Sequence, residues 1–340
     1  MIAVAWRQHR VQILVVVAMA GALIGWMIVV GHAVPIALQN GAKCTENWAG
    51  GGFITSQCDA LLGEQTILST QTGIIYDALF IVPMLTGLVI GSSLVAGDLQ
   101  RRTNRFAWTQ SVSRTRWYLT KSALVAAVAV VSSVAVAAVA AWWVSIVTTE
   151  TSNASHYWSV QLQSPEWGSR IHPALFDVTG YVVVAYALFA LALGVTFGAV
   201  FRKTFWSVLA TIVIFVTVRL VIIFLRPFYL TPLSAPDASF QQYGLPTSDW
   251  IVGDSLRNLP GGHANPHQLQ AIANACSEVS SNSPESSYFS CLTVHHAMSY
   301  TLYQPLSRFW EFQAIESGIF VAAAIALFGL GLWAVRRWRA

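Results

Sequence analysis

Six stretches of this chain are apolar for about 20 residues or more, the length a helix needs to cross the hydrocarbon core of a bilayer. They lie at residues 11–30, 74–96, 122–147, 176–201, 205–225 and 314–335. In hydrocarbon every backbone N–H and C=O must find its partner within the protein, which restricts such stretches to helices or closed barrels. Runs this long and continuous are helical, so the expected fold is an all-α membrane protein with six transmembrane helices. Composition agrees: 55% of the 340 residues are hydrophobic and 10% are charged, against about 25% charged in a soluble domain. The mean hydropathy is +0.56 and the pI is near 9.0. A basic chain invites a nucleic-acid reading, but that class clusters Lys and Arg on a polar domain. Here they sit at the ends of apolar runs. The first run exceeds the roughly 7–15 apolar residues of a signal peptide and lacks a clear small-residue cleavage site, so it reads as a span and not a leader.

Charge sets the orientation. Alternate connections carry Arg7 and Arg10; Arg101, Arg102, Arg105, Arg114, Arg116 and Lys121; Arg202 and Lys203; and Arg336, Arg337 and Arg339. The opposite connections hold only Lys43, Arg170, Arg257 and Arg308. Basic loops stay in the cytoplasm, so both termini are expected there, in a multi-pass protein of the plasma membrane. Residues 1–226 then carry five spans, with a basic cytoplasmic loop at 97–121. Residues 227–313 form a large extracellular insertion punctuated by Pro232, Pro236, Pro246, Pro260, Gly261 and Gly262, and 314–340 form the sixth span and a basic tail.

Cys44, Cys58, Cys276 and Cys291 all fall on the side this assignment makes extracellular, where disulfides persist. Four cysteines allow three pairings. Local closure, Cys44–Cys58 and Cys276–Cys291, is the simplest, and cross-pairing between the loops stays open. His263, His267, His295 and His296 lie nearby, but their spacing matches no zinc-ligand pattern, and no metal is expected.

The 97–121 loop concentrates basic charge around one acid, Asp98, and adds Phe106, Trp108 and Trp117. An orientation signal with interfacial anchors accounts for the charge. A docking surface for a cytoplasmic partner accounts for the charge and the apolar bulk together. Trp6, Arg7, His9 and Arg10, beside Ile2 and Val4, read as a short interfacial helix on the same face. No GxxxxGK[ST] phosphate loop is present, nor a GxSxG elbow or HExxH pair, so the chain is not expected to be an enzyme or to bind a cofactor itself. Asn153-Ala154-Ser155 fits a glycosylation sequon, relevant only in a eukaryote.

Within the spans, GxxxG recurs at Gly21–Gly25, Gly87–Gly91 and Gly194–Gly198, a spacing that lets helix backbones approach. Pro83 is expected to kink the second span. Arg219 stands inside the fifth, where a lipid-facing charge costs on the order of 2.5–3.5 kcal/mol. It must therefore face the bundle or a watery path. Arg226, seven residues on, shares its helical face, and Asp77, Asp177, Glu311 and Glu316 are the acids available to pair with them. A structural ion pair and a contact with polar cargo along a translocation path both fit.

The run from Ile81 to Lys121, IVPMLTGLVIGSSLVAGDLQRRTNRFAWTQSVSRTRWYLTK, resembles the second and third spans of actinobacterial ABC transporter permeases of the type-2 exporter class. Asp98 stands where that family usually has Glu, Arg102 where it has Gly, and Thr103 keeps the Thr position. Trp6-Arg7-Gln8-His9-Arg10 and the late run from Ser307 to Gln313, with Ile315-Glu316, are similar to the same family's two ends. The resemblance implies a six-span permease subunit paired with a second permease subunit, identical or paralogous. It also implies two copies of an ABC ATPase subunit that carry the ATP and Mg. The ATPase contact would fall on Asp98, Arg101, Arg102, Thr103, Arg105, Phe106 and Trp108, making 97–121 the coupling loop. Apart from this resemblance, a membrane-anchored receptor whose 227–313 insertion binds a peptide or small ligand fits the same layout. An enzyme acting on lipid-linked substrates lacks a visible catalytic set.

Overall fold

The structure is a computed structural model, and it describes residues 2–49, 56–100, 113–153, 170–236, 249–280 and 286–337. The chain divides into two compact units. One comprises Met1–Trp167, Pro173–Ile223 and Trp310–Ala340, the other Gly168–His172 and Phe224–Phe309.

The described residues of the first unit are helical apart from short turns. Helix α1 (Ile2–Ala49) runs without interruption. Two expectations are thereby corrected. Trp6, Arg7, His9 and Arg10 do not form a separate interfacial helix but the first turns of α1, and the polar stretch after residue 30 is not loop. Its Ala, Leu, Gln, Lys and Glu residues keep good helix propensity, so a drop in hydropathy alone does not end the helix. Helix α2 (Ser56–Thr86) passes through Pro83 into a π-helical turn, Gly87–Gly91, followed by α3 (Ser92–Gln100). The departure from α-helical bonding thus falls at the glycines and not at the proline.

The turn lies against the neighbouring helix α5 (Val182–Phe201). A Cβ on Gly87 would strike the Ala190 backbone, and one on Gly91 would meet the Leu191 carbonyl. In return, a Cβ on Gly194 would strike Gly87 and Ser92, and one on Gly198 would press on Ser92 and Ala96. Two of the three GxxxG motifs therefore mesh with each other. The third does not take part, since among the described residues nothing lies within 4 Å of a Cβ at Gly21 or Gly25.

Helix α4 (Arg114–Asn153) packs along α1. Met27 and Val30 of α1, Ile75 and Leu79 of α2, and Trp143 and Val144 of α4 form one apolar core. Val16, Ile90, Leu94, Trp117, Tyr118, Leu191, Val195 and Val335 form a second. Helix α6 (Thr204–Leu225) follows α5 through the basic turn, where Arg202 takes a left-handed φ of 56°. Helix α9 (Phe309–Arg337) ends the described chain. Helix α5 is the centre of this unit: 83% of its apolar window is buried, against 22% for both α6 and α9.

Five of the described helices are long and apolar enough to cross a membrane: Trp6–Ala37, Arg114–Val147, Val182–Phe201, Thr204–Phe228 and Leu306–Arg337. The expected sixth, at 74–96, is helical but passes from α2 through the π turn into α3.

The second unit holds a three-stranded antiparallel sheet in the order β1 (Leu233–Pro236), β3 (Ala297–Gln304), β2 (Trp250–Asn258). The sequence reading did not foresee it. In β3 the buried residues Ala297, Ser299 and Thr301 alternate with the half-buried Met298, Tyr300 and Leu302, the period-two pattern of a strand. Helices α7 (Pro266–Ser280) and α8 (Ser286–Val294) share a small core of Leu269, Ala273, Cys276, Leu292 and Ala297. Cys276 and Cys291 form a disulfide between these helices.

Candidate functional site

An arginine among apolar neighbours needs a carboxylate, and the first unit supplies two. Arg219 of α6 is 4% exposed. Its Nη2 lies 2.8 Å from Asp177 Oδ2, and its Nη1 lies 3.5 Å from Glu316 Oε1. Asp177 precedes α5 and Glu316 belongs to α9, so one guanidinium ties three segments together. Both carboxylates are buried. The Tyr186 hydroxyl of α5 bridges them, 3.1 Å from Asp177 Oδ1 and hydrogen-bonded to Glu316 Oε1. The guanidinium carbon stands 3.6 Å from the centre of the Tyr186 ring and 5.2 Å from that of Phe80. Cation–π attraction of this kind strengthens when the cation is desolvated.

Asp177 is held in place from α9. The chain reverses after the single turn Pro173–Phe176, and Gly180 takes φ +75°, a conformation that favours glycine. A Cβ there would also run into the Gln313 amide. Gln313 accepts from the Val182 N–H at 3.0 Å and donates to the Phe176 and Thr179 carbonyls at 3.2 and 3.1 Å. It therefore satisfies the start of α5 and fixes the segment bearing Asp177. Below this network Phe189 packs between Phe215 of α6 and Phe320 of α9. Helices α6 and α9 thus join α5 through discrete side chains, in contrast to the backbone-close seam between α5 and the Gly87–Gly91 turn.

The basic ends gather at the other end of the same unit. Lys121 Nζ of α4 lies 3.4 Å from His9 Nε2 of α1, and both residues are buried. The Tyr118 hydroxyl donates to the Phe328 carbonyl of α9, and Thr196 of α5 donates to that of Leu327. Arg336 Nε donates to Thr115 Oγ1 at 3.1 Å, and Thr204 Oγ1 donates to Gln100 Oε1 at 3.1 Å. Trp6, Arg7 and Arg10 are exposed on α1.

Of the coupling residues, Asp98 lies on α3, though its side chain is outside the described set. Arg101, Arg102, Thr103, Arg105, Phe106 and Trp108 fall outside the described residues altogether. Cys44 and Cys58 lie on α1 and α2, and their side chains are likewise outside it. Arg226 is buried, but α6 ends at Leu225, and Arg226 opens the 3-10 turn Arg226–Phe228. Phe215, Arg219, Ile222 and Arg226 are the buried residues of this stretch, at the spacing of one helical face. Asp77 and Glu311 remain exposed, while Asp177 and Glu316 pair with Arg219. Among the described residues no group of three or more His, Cys, Asp and Glu is placed to hold a metal.

Sequence reasoning missed Tyr186 and the role of Gln313. The available signals were a hydroxyl-bearing ring in the middle of an apolar run and an amide one turn before an acid on the same helix.

Residues 14–226 match a sequence family described as ABC-2 membrane transporter related. Neither a curated protein nor a solved structure matches the chain.

Proposed function

The chain belongs to the ABC-2 membrane transporter related family, and from that premise we propose that it is the membrane-spanning permease subunit of an ATP-driven exporter. The observation that carries this reading is the family match itself, which runs from within α1 to the end of α6 and includes the loop at 97–121. It coincides with the resemblance to actinobacterial type-2 permeases carried by the run from Ile81 to Lys121. In this reading the protein sits in the plasma membrane with its basic end and both termini in the cytoplasm. The meeting of the α1, α4 and α9 ends around His9, Lys121 and Arg336 supports that orientation, and residues 227–313 then lie outside. Two such subunits, identical or paralogous, form the path, and each receives an ATPase subunit at Asp98, Arg101, Arg102, Thr103, Arg105, Phe106 and Trp108. ATP and Mg belong to that partner.

ATP binding draws the two ATPase subunits together, and the coupling loop passes the motion to α3 and α4. The close seam between α5 and Gly87–Gly91 favours movement of these helices as one body. The side-chain attachments of α6 and α9 favour those helices as the ones that shift against it, with Arg219 at the joint. Cargo biases the two states only to the extent that it binds them unequally.

The test is charge reversal, R101E/R102E/R105E, in the complex of permease and ATPase. Wild-type permease raises ATP turnover above that of the isolated ATPase, and the variant is expected to lose this stimulation while still inserting in the membrane. Full stimulation by a correctly inserted variant refutes docking at this loop.

A further inference from the structure

Two helix ends bring Arg116 of α4 and Arg336 and Arg337 of α9 to the basic end of the helical unit. Arg336 Nε donates to Thr115 Oγ1 at 3.1 Å, which places it beside Arg116, the next residue of α4. Arg337 follows directly, and Arg116, Arg336 and Arg337 are all exposed. The Tyr118 hydroxyl donates to the Phe328 carbonyl, and Trp117, Tyr118 and Val335 share one buried core. The two helix ends therefore cannot drift apart to dilute the charge. Neither the α4 segment Arg-Thr-Arg-Trp-Tyr-Leu-Thr-Lys nor the α9 segment Leu-Gly-Leu-Trp-Ala-Val-Arg-Arg contains an acid. With no acid of their own, these two segments are suited to an anion from outside them.

Apolar surface adjoining the charge identifies the anion's carrier. The Arg337 guanidinium carbon sits 4.3 Å from the centre of the Trp333 ring. Trp333 is 54% exposed and Leu330 is 56% exposed on the same helix, and Leu119 is 50% exposed on α4. A phosphate ion or an acidic protein surface has no use for this apolar strip. An acyl chain below a phosphate headgroup matches both parts. Tryptophan at the level of the headgroups is a common membrane anchor, and basic pockets between spanning helices bind anionic lipid headgroups.

We propose that Arg116, Arg336 and Arg337 form a selective site for the headgroup of an anionic phospholipid, with its acyl chain lying along Leu119, Leu330 and Trp333. The proposal does not rest on where the ATPase docks.

The test uses the purified full chain in mixed bilayers of phosphatidylglycerol and phosphatidylcholine, with retained lipid read by native mass spectrometry. Attraction of an anionic headgroup amounts to about fivefold for each guanidinium engaged. The wild type should therefore retain phosphatidylglycerol at least about fivefold over its bulk share. R116Q/R336Q/R337Q should lose most of that preference, while R202Q/K203Q, which removes two charges elsewhere, should keep it. The site is refuted by an unselective wild type, by a selective triple variant, or by an equal loss in R202Q/K203Q. Excess inorganic phosphate should leave the lipid bound, and complete displacement would reduce the site to a phosphate site. A second measurement avoids the arginine variants. The part of the fluorescence quenching that W333F removes should be larger with brominated phosphatidylglycerol than with brominated phosphatidylcholine, and equal quenching overturns the proposal.

Discussion

Replacing Arg219 by Met keeps most of the side chain's volume and removes the cation that Asp177 and Glu316 share. The two carboxylates, both buried, would then face each other across the Tyr186 hydroxyl. A unit charge pair near 4 Å at an effective dielectric of about 20 is worth about 4 kcal/mol, and breaking a buried pair from one side costs about 3–5 kcal/mol. Both routes give a loss of about 4 kcal/mol. For a domain of this size each kcal/mol moves the melting midpoint by about 2–4 °C, so R219M should melt on the order of 10 °C below the wild type. The assay is heating in detergent followed by size-exclusion with intrinsic fluorescence. The variant D177N/R219M/E316Q removes all three charges together and should recover more than half of the loss, because the penalty comes from uncompensated charge and not from missing contacts. An R219M variant that melts within 2 °C of the wild type refutes the reasoning. So does a triple variant no more stable than R219M.

Gly194→Ala should destabilise by about 1–3 kcal/mol through overpacking, because its Cβ would press on Gly87 and Ser92. Gly21→Ala, open on that side, should leave the same melting assay unchanged. Gln313→Leu removes the partner of the Val182 N–H and the Thr179 carbonyl, at about 1–3 kcal/mol for each buried group left unpaired. It should expose residues 173–182 to limited proteolysis. Cys276→Ser should weaken the second unit by about 3 kcal/mol, the value for a closed loop of about 15 residues. Non-reducing peptide mapping of the wild type should show Cys276 linked to Cys291.

What the sequence revealed and what it concealed divide along a physical line. A charge inside an apolar run must be compensated, so the need for a partner to Arg219 was readable, and the acids near the helix ends were few enough to name. Which of them engaged was not readable. Asp77 and Glu311 stay exposed, and which acids meet Arg219 is a matter of helix packing that spacing alone does not fix. Tyr186 was hidden because a tyrosine in an apolar run is ordinarily packing material. Gln313 matters only because the chain reverses at Gly180, inside the stretch that hydropathy treated as one span from 176 to 201. The glycine motifs show the same limit: Gly87–Gly91 and Gly194–Gly198 mesh, while Gly21–Gly25 has identical spacing and no neighbour. Hydropathy also drew α1 too short, since a helix continues past its apolar portion wherever propensity allows. The local closure of Cys276 with Cys291 was the simplest of three pairings. The sheet of the second unit was hidden because its strands lie far apart in sequence.

The most direct measurement for the account as a whole is the intact mass of the complex captured on this chain from its own membrane. A motor-driven permease should emerge with an ATP-hydrolysing subunit, two copies of it against two permease chains. It should lose that subunit when Arg101, Arg102 and Arg105 are reversed to Glu. Recovery of the chain with no ATPase, or with an ATPase whose retention ignores those three substitutions, would contradict the account.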